Sequence, residues 1–195
     1  GEVTTIAGQA GEGHAGGAFS TSARFHMPRG GCVAPNGDLY VAFAEVRASS
    51  NYCKIHVRKW NGSSWVQTGA DINGEAAGDN FGVKVDVSDD GSVIAVGAHL
   101  NDGTASNAGH VRVFAWNGSA WIQRGSDING EAIDNEFGAA LALNSDGTRL
   151  VVGARFNDST ATNDGEVSVY NWNGTAWVAK AGNLCNVVCK IAHTL

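Results

Sequence analysis

Apolar and polar residues alternate along this chain in short stretches. Val83, Val85 and Val87 share one face of an extended segment, with Lys84, Asp86 and Ser88 on the other, as expected of a strand with one buried face. Asp89-Asp90-Gly91 makes a turn, and Val-Ile-Ala-Val-Gly-Ala at 93–98 is the apolar run of a buried strand. The polar, Asn- and Gly-rich stretch 101–109 reads as a loop. Val111, Val113 and Ala115 alternate in a third strand, Asn117-Gly118 turns the chain, and Trp121 and Gln123 begin a fourth. Asn-Gly between alternating segments signals a hairpin because both residues adopt positive φ at little cost. A loop Asn-Gly-Ser-Ala then sets Trp116 opposite Trp121 as a cross-strand aromatic pair.

The unit recurs. Trp-Asn-Gly-Ser-Ser-Trp at 60–65 returns as Trp-Asn-Gly-Ser-Ala-Trp at 116–121 and as Trp-Asn-Gly-Thr-Ala-Trp at 172–177, 56 residues apart each time. Residues 60–115 and 116–171 agree at 28 of 56 positions without a gap, which marks a repeat protein. Four antiparallel strands per period, too thin to bury their own faces, describe propeller blades that lean on their neighbours. The chain is therefore expected to be all-β, with about three blades near residues 25–70, 81–126 and 137–182 and a stray strand at 3–7. Three blades and a strand fall short of the roughly four to eight that close a ring. An incomplete propeller is expected, either a fragment or a chain whose copies self-associate around an axis. Tryptophans placed identically three times suit packing between blades better than sugar stacking.

Charge narrows the partners. The net charge is −6, and residues 61–180 hold six Lys/Arg against fifteen Asp/Glu. Nucleic acid needs a basic stripe and is not expected. No apolar run approaches the ~18 residues of a membrane span. Cys32, Cys53, Cys185 and Cys189 are an even, sparse set that leaves buried thiols and a disulfide both open. Asn61, Asn117, Asn157 and Asn173 begin Asn-x-Ser/Thr sequons, three of them at hairpin turns.

With Phe81-Gly82 and Gly97-Ala98, then Phe137-Gly138 and Gly153-Ala154, residues 60–182 resemble FG-GAP repeats. That resemblance implies the seven-bladed propellers of integrin alpha chains and related surface or secreted proteins. The stretches 1–8, 23–28 and 36–42 are similar to NHL repeats, so the chain divides into an NHL-like strand and divergent first blade (1–59), FG-GAP-like repeats (60–182) and a non-repeat tail (183–195). The FG-GAP resemblance also implies calcium at the turn between the first two strands of a blade, where Asp86, Ser88 and Asp90 offer oxygens. Calcium takes six to eight oxygens, more than this loop's side chains supply, and an Asp-Gly turn accounts for the same residues.

The most faithfully repeated polar segments are Asp71-x-Asn73-Gly-Glu75 and Asp127-x-Asn129-Gly-Glu131, between the fourth strand of one blade and the first of the next. An up-down blade opens this connection on the same end as the loop joining strands two and three. Asp79, Asp102, Asp134, Glu136, Asp158 and Asp164 would join the acidic residues there. Loops on a rigid scaffold are where binding residues collect. Three readings follow. The first is a non-enzymatic binding or adhesion module at the cell surface or outside the cell, whose loops recognise a protein or carbohydrate. The second is a propeller hydrolase or lyase with a metal in its central channel, although the inner strands offer Lys84 and Asp86 in one blade but Ala140 and Ala142 in the next. The third is a truncated repeat with no independent role. The first is the expectation.

Overall fold

The computed structural model describes residues 28–33, 39–46, 53–156, 165–180 and 184–185. The described chain is all-β and forms three antiparallel sheets. The first sheet comprises β1 (Pro28–Val33), β2 (Leu39–Val46), β3 (Cys53–Trp60), β4 (Trp65–Gln67) and β5 (Ile72–Asn73). The second comprises β6 (Lys84–Val87), β7 (Val93–Ala98), β8 (His110–Trp116), β9 (Trp121–Gln123) and β10 (Ile128–Asn129). The third comprises β11 (Phe137–Leu143), β12 (Arg149–Ala154), β13 (Glu166–Trp172), β14 (Trp177–Ala179) and β15 (Leu184–Cys185). These are propeller blades at the positions the repeat predicts. The stray strand expected at 3–7 lies outside the described residues.

Each blade carries a fifth strand that alternation does not reveal. The third strand pairs with the fourth over its C-terminal half and with a two-residue strand over its N-terminal half. Lys54 and Ile55 face Asn73 and Ile72, and His110 and Val111 face Asn129 and Ile128. The repeated Asp-Ile-Asn segments therefore begin as sheet edge and become loop only at the following glycine. Glu166 and Val167 face Cys185 and Leu184 in the same register, so β15 holds this position inside the stretch whose sequence no longer resembles the repeat.

Cores lie between blades. The side chains of Ile94, Val96 and Ala98 face the first blade, packing with Ile55, Val57, Ile72 and Phe81. Val93 and Ala95 face the third, packing with Phe137, Leu141, Leu150 and Val152. Period two thus divides one strand between two cores, which explains why all six residues of β7 are buried. The first strands line up, β6 against β1 and β11 against β6.

The hairpin turns follow the sequence closely. Trp60 pairs with Trp65, Trp116 with Trp121 and Trp172 with Trp177, with ring centroids 5.6, 5.4 and 5.5 Å apart. Asn61 Oδ1 accepts from the Ser63 and Ser64 amides, and Asn117 and Asn173 repeat the arrangement. Each later pair also joins two blades. Trp121 Nε1 donates to Thr68 O at 2.8 Å and Trp177 Nε1 to Arg124 O at 2.9 Å.

Candidate functional site

The repeated acidic segments end up in two environments. Asp71 lies inside the edge of the first blade, where Gln67 Nε2 donates to its Oδ1 at 2.8 Å, His56 Nδ1 lies 2.9 Å away and Lys54 Nζ is 3.4 Å from Oδ2. Burial pushes its carboxyl up, but the Gln67 hydrogen bond and the His56 and Lys54 charges outweigh it and hold Asp71 below the usual value. Asp127 is its counterpart, accepting from Gln123 Nε2 at 2.6 Å with Arg112 Nε 3.4 Å away. Asn73 and Asn129 are exposed residues of the fifth strands.

Glu75 and Glu131 stand on the connections to the next blade, in the exposed stretches 75–78 and 131–134. Buried Asp79 and Asn135 anchor these stretches. Positive φ at 78, 80 and 82 recurs at 134, 136 and 138, so the two connections follow one backbone path. The loop between β7 and β8 ties them together. Asn101 Nδ2 donates to Asp79 Oδ2 at 2.8 Å, the amides of Asp134, Glu136 and Phe137 donate to the Ser106, Asn107 and Ala108 carbonyls, and Asn107 Nδ2 donates to Asp134 Oδ1. The two kinds of loop therefore share one end of the blades. Asp102 accepts the Asn107 amide there, whereas Asp158 and Asp164 lie outside the described residues.

Where Glu75 crosses to the second blade, an ion network forms that single residues did not announce. Its Oε1 is 3.5 Å from Arg112 Nη1 and its Oε2 is 3.9 Å from His110 Nδ1. Arg112 also donates through Nε and Nη2 to Gln123 Oε1 at 3.2 and 2.7 Å, and its guanidinium lies over the Phe114 ring at 5.4 Å. Glu75, His110 and Asp127 bring potential ligand atoms within 4.8 Å of one another. Burial depresses the His110 pKa against the opposing charges of Asp127 and Glu75, so a neutral imidazole and two carboxylates form a metal-ligand set by type. The Arg112 guanidinium already lies against both carboxylates, and the arrangement is an internal charge cluster.

The residues of the implied calcium loop turn different ways. Asp86 Oδ2 accepts the Leu143 amide of the third blade at 2.7 Å, and burial, ahead of that bond, raises its pKa. Ser88 Oγ donates to Asp90 Oδ1 at 2.7 Å and accepts the Val93 amide at 2.9 Å, while Asp90 also accepts from Ser92. These oxygens close a turn and join two blades.

A groove of about 70 Å³ opens between the second and third blades, lined by Glu131, Phe137, Glu166, Ser168, Tyr170 and Ala179 among others. Sequence patterning missed it and Arg112 alike, because both depend on where the repeats differ. The detectable signal is Arg112 and Gln123 becoming Ser168 and Ala179 one period later.

Residues 73–114 match the FG-GAP repeat family. No curated protein matches the chain in sequence. Among solved structures, the chain is similar to a candidate 6-phosphogluconolactonase from Bacteroides uniformis, at TM-score 0.55 and 14% identity over 85% of this chain and 43% of that one. It is also similar to an acylaminoacyl peptidase from Pyrococcus horikoshii, at TM-score 0.44 and 12% identity over 82% of this chain and 25% of that one. The chain thus spans under half the length of either structure.

Proposed function

We propose that this chain is a non-enzymatic binding module, part of a surface or extracellular propeller that recognises a protein or carbohydrate through the loops at one end of its blades. The observation that carries this reading is the pairing of exposure with anchorage at 131–134. This stretch faces solvent, yet the Asp134 amide, and the Glu136 and Phe137 amides just beyond it, donate to the neighbouring loop. Pre-ordered loops lose little entropy on binding. The FG-GAP match agrees with such a module. The polar groups nearest the inner strands support it too, since Asp86 is engaged by a backbone amide where a catalytic carboxylate would need to face a substrate.

Within this reading the repeated polar residues divide into two groups. Asp71 and Asp127 act within the sheet edges and Glu75 pairs with Arg112, whereas Glu131, Asn73 and Asn129 are exposed. The full chain should be applied to arrays of glycans and of short peptides, beside a variant carrying Asn129→Ala and Glu131→Gln. Binding that drops at least about tenfold in the variant supports the proposal. No array signal above that of the variant overturns it.

A further inference from the structure

Six Asn-Gly pairs occur in the chain, and five lie among the described residues. Such a pair is chemically labile, because glycine has no side chain to keep its nitrogen from the carbonyl carbon of the preceding asparagine side chain. The fold sorts the five into two environments. Asn61, Asn117 and Asn173 open the hairpin turns, whereas Asn73 and Asn129 end the edge strands β5 and β10. All five asparagines are exposed, so solvent access does not separate them. The glycine nitrogens do. Gly74 N donates to Cys53 O at 3.0 Å and Gly130 N to Gly109 O at 2.8 Å. No described residue accepts a hydrogen bond from the nitrogens of Gly62, Gly118 and Gly174.

The turn also prepares the carbonyl under attack. Asn117 Oδ1 accepts from the Ser119 amide at 2.9 Å, the Ser119 hydroxyl at 3.0 Å and the Ala120 amide at 2.8 Å. Asn61 and Asn173 repeat the three bonds at the same lengths. Bonds to the second and third residues ahead draw the side chain forward over the glycine peptide. Three donors then stand at the oxygen where negative charge gathers as the nitrogen adds. The turn glycines are also uncrowded, since a Cβ on Gly62, Gly118 or Gly174 would meet nothing within 4 Å. At Gly130 it would lie 2.1 Å from the Ala108 carbonyl oxygen. Asn129 must therefore leave the sheet edge before its side chain and the glycine nitrogen can react.

We propose that Asn61, Asn117 and Asn173 are sites of spontaneous deamidation in the folded chain, each activated by its own turn, and that the edge strands protect Asn73 and Asn129. The glycine nitrogen gives its proton to solvent and bonds to Cγ. The bond from Cγ to Nδ2 breaks, and ammonia leaves with a proton taken from water. The cyclic imide then adds one water at either carbonyl and opens to aspartate or isoaspartate. Isoaspartate routes the backbone through Cβ and so lengthens a turn whose second tryptophan, at 121 and 177, ties its blade to the one before. These turns lie at the opposite end of β8 from the β7–β8 loop, and the proposal stands apart from the binding reading.

The test incubates the folded full chain in mildly alkaline buffer below its unfolding temperature, beside a sample in urea, and follows each Asn-Gly peptide by mass spectrometry. In the folded chain each turn asparagine should convert at least about tenfold faster than Asn73 or Asn129, which react only after the strand edge opens. In urea the five should convert within about threefold of one another, because the unfolded chain keeps neither environment. Ser119→Ala removes one donor to Asn117 Oδ1 and should slow that site about threefold or more, leaving Asn61 and Asn173 unchanged. A smaller ratio in the folded chain overturns the proposal. So does a ratio that survives in urea, which would assign the difference to neighbours in sequence and not to the fold. Faster loss of Asn117 in Ser119→Ala overturns it too, since the turn would then hold the side chain away from the glycine.

Discussion

Gly97 and Gly138 show how single residues set the spacing of the blades. A Cβ on Gly97 would lie 2.2 Å from the Gly138 carbonyl oxygen, and Gly138 has φ near +88°. Gly97 of one Gly-Ala pair and Gly138 of the next Phe-Gly pair thus let the backbones of the second and third blades meet. Because the clash is with backbone, a side chain cannot swing clear, and Gly97→Ala should cost about 1–3 kcal/mol in denaturant unfolding. An unchanged midpoint would show that the blades can part at no cost. Burial also governs two imidazoles, His110 and His99, whose pKa values it holds below the ordinary value. Both are neutral when folded near pH 7, whereas in the unfolded chain they take up protons from about pH 6.5 downward. Their contribution to stability is complete above that value and is lost as pH falls toward the depressed folded values. The urea midpoint should therefore decline from pH 7.5 to 5.5, and more shallowly in His110→Gln. The carboxylates held low, Asp71, Asp90 and Asp146, act at more acidic pH, whereas Asp86, raised by burial, works against the histidines by favouring the folded state as pH falls.

Among elements, the Trp-Asn-Gly hairpin does two jobs: its turn is closed by asparagine, and its second tryptophan fastens a blade to the one before. Trp121→Phe keeps the ring against its neighbours but leaves the Thr68 carbonyl without its indole donor, at a cost of about 1 kcal/mol. Trp121→Ala also removes the packing and should cost about 3–5 kcal/mol. Thermal unfolding of the two variants separates the contributions, and equal losses would mean that the hydrogen bond has no separate role. The hairpins and the three long strands of each blade were legible in sequence because alternation and turn residues are local signals. The fifth strands were not. Two residues are too few to show a period, and only pairing with Lys54 and Ile55, or with His110 and Val111, reveals them. For the same reason Asp71 and Asp127 read as loop ligands, whereas the structure uses them to brace a sheet edge. The groove beside Tyr170 was hidden by a search for what the repeats share, since it is made by two positions where they part.

At the level of the whole molecule, stability resides in junctions between sheets, because the described cores lie between blades. Such a chain approximates a row of units coupled to nearest neighbours, in which a unit flanked on both sides opens less readily than one flanked on one side. The second blade has that position among the described residues, and its strand β7 supplies side chains to both cores. β12 is its counterpart in the third blade, yet Arg149 is exposed and Val151 only half-buried, against uninterrupted burial along β7. Opening β7 must disrupt both cores, whereas opening β12 disrupts the second alone. Amide hydrogen exchange should accordingly be slowest at 93–98, intermediate at 149–154 and fastest at 177–179, on the half-exposed outer strand. Val96→Ala, in the first core, should lower protection in β7 and β3 more than in β13, because the second core stays intact. Equal protection across all three blades would show that the sheets unfold as one unit, and the junction-by-junction account of this fold would then be wrong.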